Sequence, residues 1–440
     1  MLKERGARLV VEFLKRGTLA ALGAFIPSAQ PAIILAILFA AYGTEVQTAV
    51  GLSATFVGVG LVSSAGFAIH AVFAFTGRSL DDRESYLREV SVEFRLAAVA
   101  AGLTLLGAVV VGVVVSLSLA DSGELFRNYW FASLTSLILL PFSATLSGIF
   151  QAQNRDGENL VLTLAAAGVL VFAAAGLAFT NVSPQVFVVG LGMTSSAVSV
   201  ANVLYRTRRV TPIYSFTLRQ LTFGWVLDGA FIRSALRALP GRVRGALDGV
   251  ILMTVFSVAA TIAARNSAAD GAIVLAVVAI LRMIVIPLKQ YGLVGGRLIR
   301  QRSKSNAEKN RLLWRLIAVT SVCLLVCSVV LVGLGAFTPY LGAIPTVVIA
   351  AMAFQLLLEP ITGFALGAQK VLDSPGFGLG SLAVISVGLT LPALFLISFW
   401  GEATAEAVWL TVVSARFIYF LVLLARVVHP YRPLQISGTT

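Results

Sequence analysis

Five ionisable side chains lie inside stretches of the sequence that are otherwise apolar: His70, Arg282, Lys289, Glu359 and Arg416. An ionisable group near the centre of a bilayer costs about 2.5–3.5 kcal/mol on insertion scales, so each is a candidate for function. At a rise of ~1.5 Å per helical residue, Arg282, Glu359 and Arg416 fall near one depth. The chemistry open to them is pairing with a charged substrate or exchange of a coupling proton.

The spacing of these residues places two of them on one helical face. Arg282 and Lys289 are seven residues apart and therefore share a stripe along their helix. The corresponding stripe of an earlier segment carries Ser63 and His70. We therefore predict that all four side chains line a substrate cavity.

A second polar stripe contains Gln355 and Glu359, which we also assign to the cavity. Two interpretations remain open. In the first, Glu359 pairs with Arg282 or Arg416 and only stabilises the protein. In the second, the excess positive charge binds an anionic, zwitterionic or lipid-phosphate substrate, and Glu359 exchanges a coupling ion.

The composition indicates an integral membrane protein. Of the 440 residues, 58% are hydrophobic and 12% are charged, and the mean hydropathy is +0.92. A soluble domain is about one quarter charged. The apolar runs are continuous, which indicates transmembrane helices rather than a β-barrel. The net charge of +13 fits cytoplasmic loops that face anionic lipids, and we expect no nucleic-acid binding.

The sequence predicts twelve membrane spans, with a few residues of uncertainty at each end. They cover residues 17–42, 48–76, 96–120, 128–152, 159–180, 184–204, 246–264, 269–295, 312–337, 340–368, 376–400 and 404–426. Most of the 33 Lys and Arg residues fall in the termini and the even-numbered loops, whereas Arg127 and Arg265 fall in odd-numbered loops. The positive-inside rule then places both termini in the cytoplasm.

This map divides the chain into five parts. They are a cytoplasmic N-terminal amphipathic segment (1–16), an N-lobe of six spans (17–204), a basic cytoplasmic linker (205–245), a C-lobe of six spans (246–426) and a cytoplasmic tail (427–440). Within the linker we predict an interfacial helix whose apolar face offers Trp225, Phe231 and Leu236. The alternative is a solvated basic linker.

The two lobes are predicted to be copies of each other. One constant shift along the chain carries Gly77 and Arg78 onto Gly296 and Arg297, and Pro141 and Gly148 onto Pro360 and Gly367. Six spans per copy is an even number, so the copies have the same orientation. We expect an all-α fold with two parallel six-helix repeats that form a V-shaped cleft.

Three segments carry a resemblance to a known family. They are YGTEVQTAVGLSATFVGVGLVSSAGFAIHAVFAFTGRSLDDRESYLREV, LPFSATLSGIFQAQNRDG and EPITGFALGAQKVLDSPG. The chain resembles multidrug and toxic compound extrusion (MATE) transporters, within the superfamily that includes polysaccharide and lipid-linked precursor flippases. The resemblance implies cation-driven antiport. The first span lacks the acidic residue that many members place there, and Asp248 and Asp270 lie only at span ends, so the usual ion site cannot be carried over.

The resulting functional expectation is a secondary active transporter in the plasma membrane that exports a small organic molecule by rocker-switch alternating access. A flippase for a lipid-linked saccharide or another anionic lipid is the alternative. We expect a proton or sodium ion as coupling ion, lipids as the surroundings, a monomer and no cofactor. We also expect no metal, because Cys323 and Cys327, four residues apart, have no further ligands nearby in the sequence and the two histidines are scattered. We do not expect an enzyme, because the acidic cluster in 79–93 alternates with Arg and is typical of a solvated loop.

Overall fold

The structure, a computed structural model, describes residues 2–76, 83–119, 122–153, 155–210, 229–244, 246–303, 305–337, 343–372 and 376–428. Regular structure in these residues is helical throughout. The helices of the first half are Leu2–Tyr42, Thr44–Phe75, Arg83–Ser118, Gly123–Ala132, Leu134–Ile138, Leu140–Ala152, Asp156–Phe179 and Pro184–Val210. Those that follow are Gly229–Arg244, Leu247–Asn266, Ala268–Arg302, Asn306–Phe337, Thr346–Glu359, Leu366–Leu372, Gly376–Ile385, Leu391–Phe399 and Ala405–Val428, with π-helical segments at Pro360–Ala365 and Ser386–Thr390.

Eleven spans of the described chain are long and apolar enough to cross a membrane. The remaining predicted span, the fourth, is not among these eleven. It is divided into three consecutive helices between Gly123 and Ala152. The last break, at Leu139, comes just before Pro141, which lacks a backbone N–H and is tolerated in the first turn of a helix. The multi-pass all-α prediction is therefore confirmed.

The helices form two compact units. One contains Ile26–Ile280 and Ala393–Val408, and the other contains Met1–Phe25, Leu281–Pro392 and Trp409–Thr440. We call them the first and the second unit. They are defined by contacts within the chain, and the six-span lobes remain a prediction.

In the first unit, the helix Thr44–Phe75 packs along Leu140–Ala152 and along Leu247–Asn266. The approach to Leu140–Ala152 is close at Gly148, where an added Cβ would lie 2.3 Å from the carbonyl oxygen of Ala68. A small residue is needed here because the two backbones nearly touch.

The linker helix, Gly229–Arg244, docks on the second and third spans of the same unit. Ala235 and Leu239 are buried against Phe67, Leu96 and Ala97. The helix therefore buries Ala235 and Leu239 within this unit, and its interfacial location remains a prediction. Leu236 is 45% exposed, Trp225 lies outside the described residues, and the side chain of Phe231 is not among those described.

In the second unit, the N-terminal segment docks on the eighth and tenth spans. Phe13 is 2% exposed, and its ring centroid lies 5.4 Å from that of Tyr291 and 5.8 Å from that of Phe364. Glu12 forms an ion pair with Arg302. The predicted segment 1–16 is not separated from the first span, because Leu2–Tyr42 is one continuous helix.

Candidate functional site

The second unit contains a buried ion pair between two membrane-spanning helices. Nη2 of Arg416 donates a hydrogen bond to Oε1 of Glu359 at 2.5 Å. Glu359 is completely buried and Arg416 is 6% exposed. Of the two partners that the sequence offered to Glu359, the structure selects Arg416. A buried carboxylate requires such a partner, because an isolated charge in an apolar interior costs several kcal/mol.

The backbone beside Glu359 is distorted into a π-helix over Pro360–Ala365. Pro360 cannot donate a backbone hydrogen bond, and π-helical turns inside α-helices frequently occur at functional sites. Gly363 lies in this turn, and a Cβ added there would be 2.7 Å from Oε2 of Glu359. The glycine therefore leaves room for the carboxylate.

Thr362 completes the cluster. Its hydroxyl oxygen accepts a hydrogen bond from Nη2 of Arg416 at 3.1 Å and donates to the carbonyl oxygen of Leu358 at 3.2 Å. Oε2 of Glu359 and Nε of Arg416 are buried without a hydrogen-bond partner. The pair thus leaves one acceptor and one donor free within the described structure.

Arg282 is a buried cation that has no counter-ion among the described residues. Its side chain is in the helix Ala268–Arg302 and is 6% exposed, and its Nε has no hydrogen-bond partner. Within the described chain it forms neither an ion pair nor a hydrogen bond. A guanidinium buried in a membrane span is costly unless it is paired.

The remaining predicted residues of the second unit are Lys289 and Gln355. Lys289 is half-buried, and its carbonyl oxygen lies close to Gly367, where the eighth and tenth spans approach each other. Gln355, one turn before Glu359, is 1% exposed, and its Oε1 accepts no hydrogen bond. Within the described part of the chain, the tenth span therefore has two buried oxygens without donors, Oε1 of Gln355 and Oε2 of Glu359.

The other two predicted residues, Ser63 and His70, belong to the first unit. The hydroxyl of Ser63 donates to the carbonyl oxygen of Gly60 at 2.9 Å within its own helix. The imidazole of His70 is 45% exposed, and its Nδ1 lies 3.2 Å from Oε1 of Glu93. The structure thus connects His70 to an acidic residue that the sequence analysis did not select.

Glu93 is the main correction to the sequence analysis. We expected the acidic residues of 79–93 to be solvated, but Glu93 is completely buried in the helix Arg83–Ser118. Nη2 of Arg242, from the linker helix, donates to Oε1 of Glu93 at 2.5 Å. Burial lowers the pKa of Arg242, although Glu93 and Glu89 act in the opposite direction. No local sequence signal linked Glu93 to Arg242, because 149 positions separate them.

Asp270 has a structural role, in agreement with its expected position at a span end. Its backbone N–H donates to Oγ of Ser267 at 3.0 Å, and its Oδ1 accepts from the backbone N–H of Ala405 at 2.8 Å. These contacts satisfy donors at the beginnings of two helices. Asp270 is therefore a helix-capping residue.

Comparison with proteins of known structure identifies the fold of this chain. No protein-family model and no curated protein sequence matches the chain. Among solved structures, an inward-facing multidrug resistance MATE family transporter of the MOP superfamily matches with a TM-score of 0.68 and 14% identity, over 92% of this chain and 94% of the other. A eukaryotic MATE transporter, AtDTX14, matches with a TM-score of 0.63 and 11% identity over 96% of both chains.

An outward-facing multidrug resistance MATE family transporter also matches, with a TM-score of 0.56 and 13% identity over 94% of this chain and 93% of the other. At these identities the likeness concerns architecture, since one fold can carry different functions. The chain thus has the fold of the MATE family transporters.

Proposed function

We propose that the protein is a secondary active transporter that exports a small organic molecule by rocker-switch alternating access. The fold supports this proposal, because it matches solved transporters described as inward-facing and as outward-facing. A parallel repeat of six spans would give two lobes that rock about a central site. We place the protein in the plasma membrane with both termini in the cytoplasm, on the strength of the Lys and Arg distribution.

The observation that carries the substrate assignment is the buried guanidinium of Arg282, which has no partner among the described residues. An anionic group of the substrate would supply the missing counter-charge and would accept charge-assisted hydrogen bonds. A half-buried Lys289 lies seven residues further along the same helix. We therefore propose a substrate that carries a carboxylate, sulfonate or phosphate group.

Glu359 is the proposed site of ion coupling. It is a completely buried carboxylate with one oxygen on Arg416 and the other without a donor. A proton or a sodium ion could occupy the free oxygen when the Arg416 contact is released. The pair would then alternate between an internal ion pair and an ion-bound carboxylate as the transporter changes state.

Flux in proteoliposomes tests this function. The purified chain is reconstituted, and uptake of fluorescein as an organic anion and of tetraphenylphosphonium as an organic cation is followed under an imposed proton gradient or sodium gradient. We expect gradient-driven movement of the anion. Equal fluxes in protein-free vesicles, with either gradient, would exclude the proposed activity for these probes.

The alternative is a flippase for a lipid-linked saccharide or another anionic lipid. Arg282 and Lys289 suit a lipid phosphate equally well. The similar solved structures described above, however, are MATE transporters, and the flippase gains no support from them. Movement of a fluorescent anionic lipid between leaflets, without movement of the soluble anion, would favour the flippase.

A further inference from the structure

The carboxylate of Glu93 has two neighbours that can each supply a positive charge. Its Oε1 accepts from Arg242 at 2.5 Å and lies 3.2 Å from Nδ1 of His70, while its Oε2 has no hydrogen-bond partner among the described residues. Both contacts converge on the same oxygen. The three side chains come from the second span, the third span and the linker helix. We call them the Glu93 cluster.

Arg242 reaches this cluster only because the linker helix is docked. The backbone of Arg242 lies against Gly66, where an added Cβ would be 1.6 Å from its carbonyl oxygen. The contact is continued by Ala235 and Leu239, which are buried against the second and third spans. If the helix left this position, Glu93 would lose the guanidinium of Arg242, and Ala235 and Leu239 would lose their apolar contacts at the same time.

His70 is the most exposed member of the cluster. Its side chain is 45% exposed, whereas the side chains of Arg242 and Glu93 are 10% and 0% exposed. Because Oε1 of Glu93 can only accept, Nδ1 of His70 carries the hydrogen in this contact, and Nε2 is the nitrogen that takes up a further proton. A proton can therefore enter the cluster through His70.

Other charged side chains lie on the helices that carry the cluster or pack against it: Arg95 on the third-span helix, Arg233 and Arg244 on the linker helix, and Asp248 at the start of the seventh span. Glu89 lies one turn before Glu93 on the same helix and interacts electrostatically with all three members. The helix Leu140–Ala152, which also packs on the third span, has no titratable side chain. Glu124 and Arg127 follow the other end of the third-span helix. Arg242 and Glu89 act on the charge of Glu93, and His70 contacts its Oε1.

We propose that the Glu93 cluster is a proton-binding site in which a proton on His70 and the guanidinium of Arg242 are alternative counter-ions of Glu93. A buried carboxylate needs one cation, whereas two cations on the same oxygen repel each other. Release of the linker helix is then linked to uptake of one proton at Nε2 of His70, and docking is linked to its loss to water. By linkage, acidification favours the released state.

This proposal rests on the proposed transport function in one respect. The linker helix leads directly into the seventh span, Leu247–Asn266, which would be expected to move during alternating access. The movement of the C-lobe would then depend on the pH of the cytoplasm through the docking equilibrium. The proton site itself can be tested without any flux.

The experiment measures docking of the linker helix as a function of pH. Cys323 and Cys327 are replaced by Ser, and spin labels are attached through Leu236→Cys and Ile69→Cys, both exposed positions. Electron paramagnetic resonance distances are recorded for the full chain in lipid nanodiscs from about pH 8 to about pH 5, the range in which an ordinary histidine titrates. We expect one short distance at high pH and a growing population of longer distances at low pH.

Three variants separate the proposal from a structural ion pair. His70→Gln should remain docked at every pH, Glu93→Gln should be released at every pH, and Arg244→Gln, an exposed position on the same helix, should behave like the parent protein. A His70→Gln variant that retains the pH dependence of docking would overturn the proposal, even if Glu93→Gln failed to fold. A docking distance that does not change with pH in the parent protein would overturn it as well.

Flux distinguishes the failure of this site from the failure of the transport function. If docking follows pH through His70 but no probe is transported, the proton site stands and the proposed function is wrong. If transport is retained while docking is independent of pH, the proposed function stands and the site is wrong.

Discussion

Nη2 of Arg416, on the twelfth span, lies 2.5 Å from Oε1 of Glu359, on the tenth span. The same nitrogen donates a second hydrogen bond to the hydroxyl of Thr362. The ring of Tyr419 lies 5.5 Å from the guanidinium carbon. This arrangement ties two helices of one compact unit together through charge. It also leaves Oε2 of Glu359 without a partner, so the pair combines a structural contact with an unused acceptor.

Removing one member of this pair should destabilise the protein. In Glu359→Gln the guanidinium of Arg416 loses its counter-ion, and breaking a buried pair in this way costs about 3–5 kcal/mol. The expected result is a lower Tm in detergent and a loss of proton-driven flux. The double variant Glu359→Leu/Arg416→Met, which removes both charges, should recover most of the lost stability. A Glu359→Gln variant with unchanged Tm and flux would contradict both roles of the pair.

Gly363→Ala should disturb the same pair without changing its charges. The new methyl group would lie 2.7 Å from Oε2 of Glu359, so the carboxylate must shift from its position beside Arg416 or the backbone must adjust. We expect a fall in Tm of a few degrees, in line with about 1–3 kcal/mol for overpacking a well-packed site. Gly388→Ala is the matched control, because it also lies in a π-helical segment and its Cβ would meet no atom within 4 Å. Equal effects at the two glycines would speak against a specific displacement of Glu359.

Gly66→Ala should release the linker helix. Its methyl group would fall 1.6 Å from the carbonyl oxygen of Arg242, a distance that no side-chain adjustment can relieve. The linker helix should then be cut by trypsin at Arg237 and Arg242 about ten-fold faster, as expected for a loss of about 1.4 kcal/mol when local opening controls cleavage. Gly102→Ala, with open space around it, should show the cleavage rate of the parent protein.

The fold could be predicted from the sequence because each span carries its own signal. Apolar runs of about twenty residues and the distribution of Lys and Arg are local features, and neither depends on which helices touch. The fourth span is the exception in detail. Its break at Leu139 comes just before Pro141, and the apolar pattern alone runs through this break and the one at Ser133.

The candidate site could be predicted only in part. Arg282, Glu359 and Arg416 were identifiable because a charge in an apolar run is visible without knowledge of contacts. Which cation pairs with Glu359 depends on how the helices pack, and the sequence left Arg282 and Arg416 equivalent. Glu93 was missed for the opposite reason. It follows a run of charged residues, so its burial appears only when the linker helix docks and brings Arg242 to it.

The most direct test of the central claim is flux of an organic anion through the Arg282→Gln variant. The comparison is with the parent protein, with Arg282→Lys, and with Arg265→Gln at an exposed span end. Loss of a charge-assisted contact worth about 1.5–3 kcal/mol should weaken the apparent affinity for the anion about ten- to hundred-fold. Arg282→Lys should retain part of it, and Arg265→Gln all of it. Unchanged affinity for the anion in a folded Arg282→Gln protein would contradict the account.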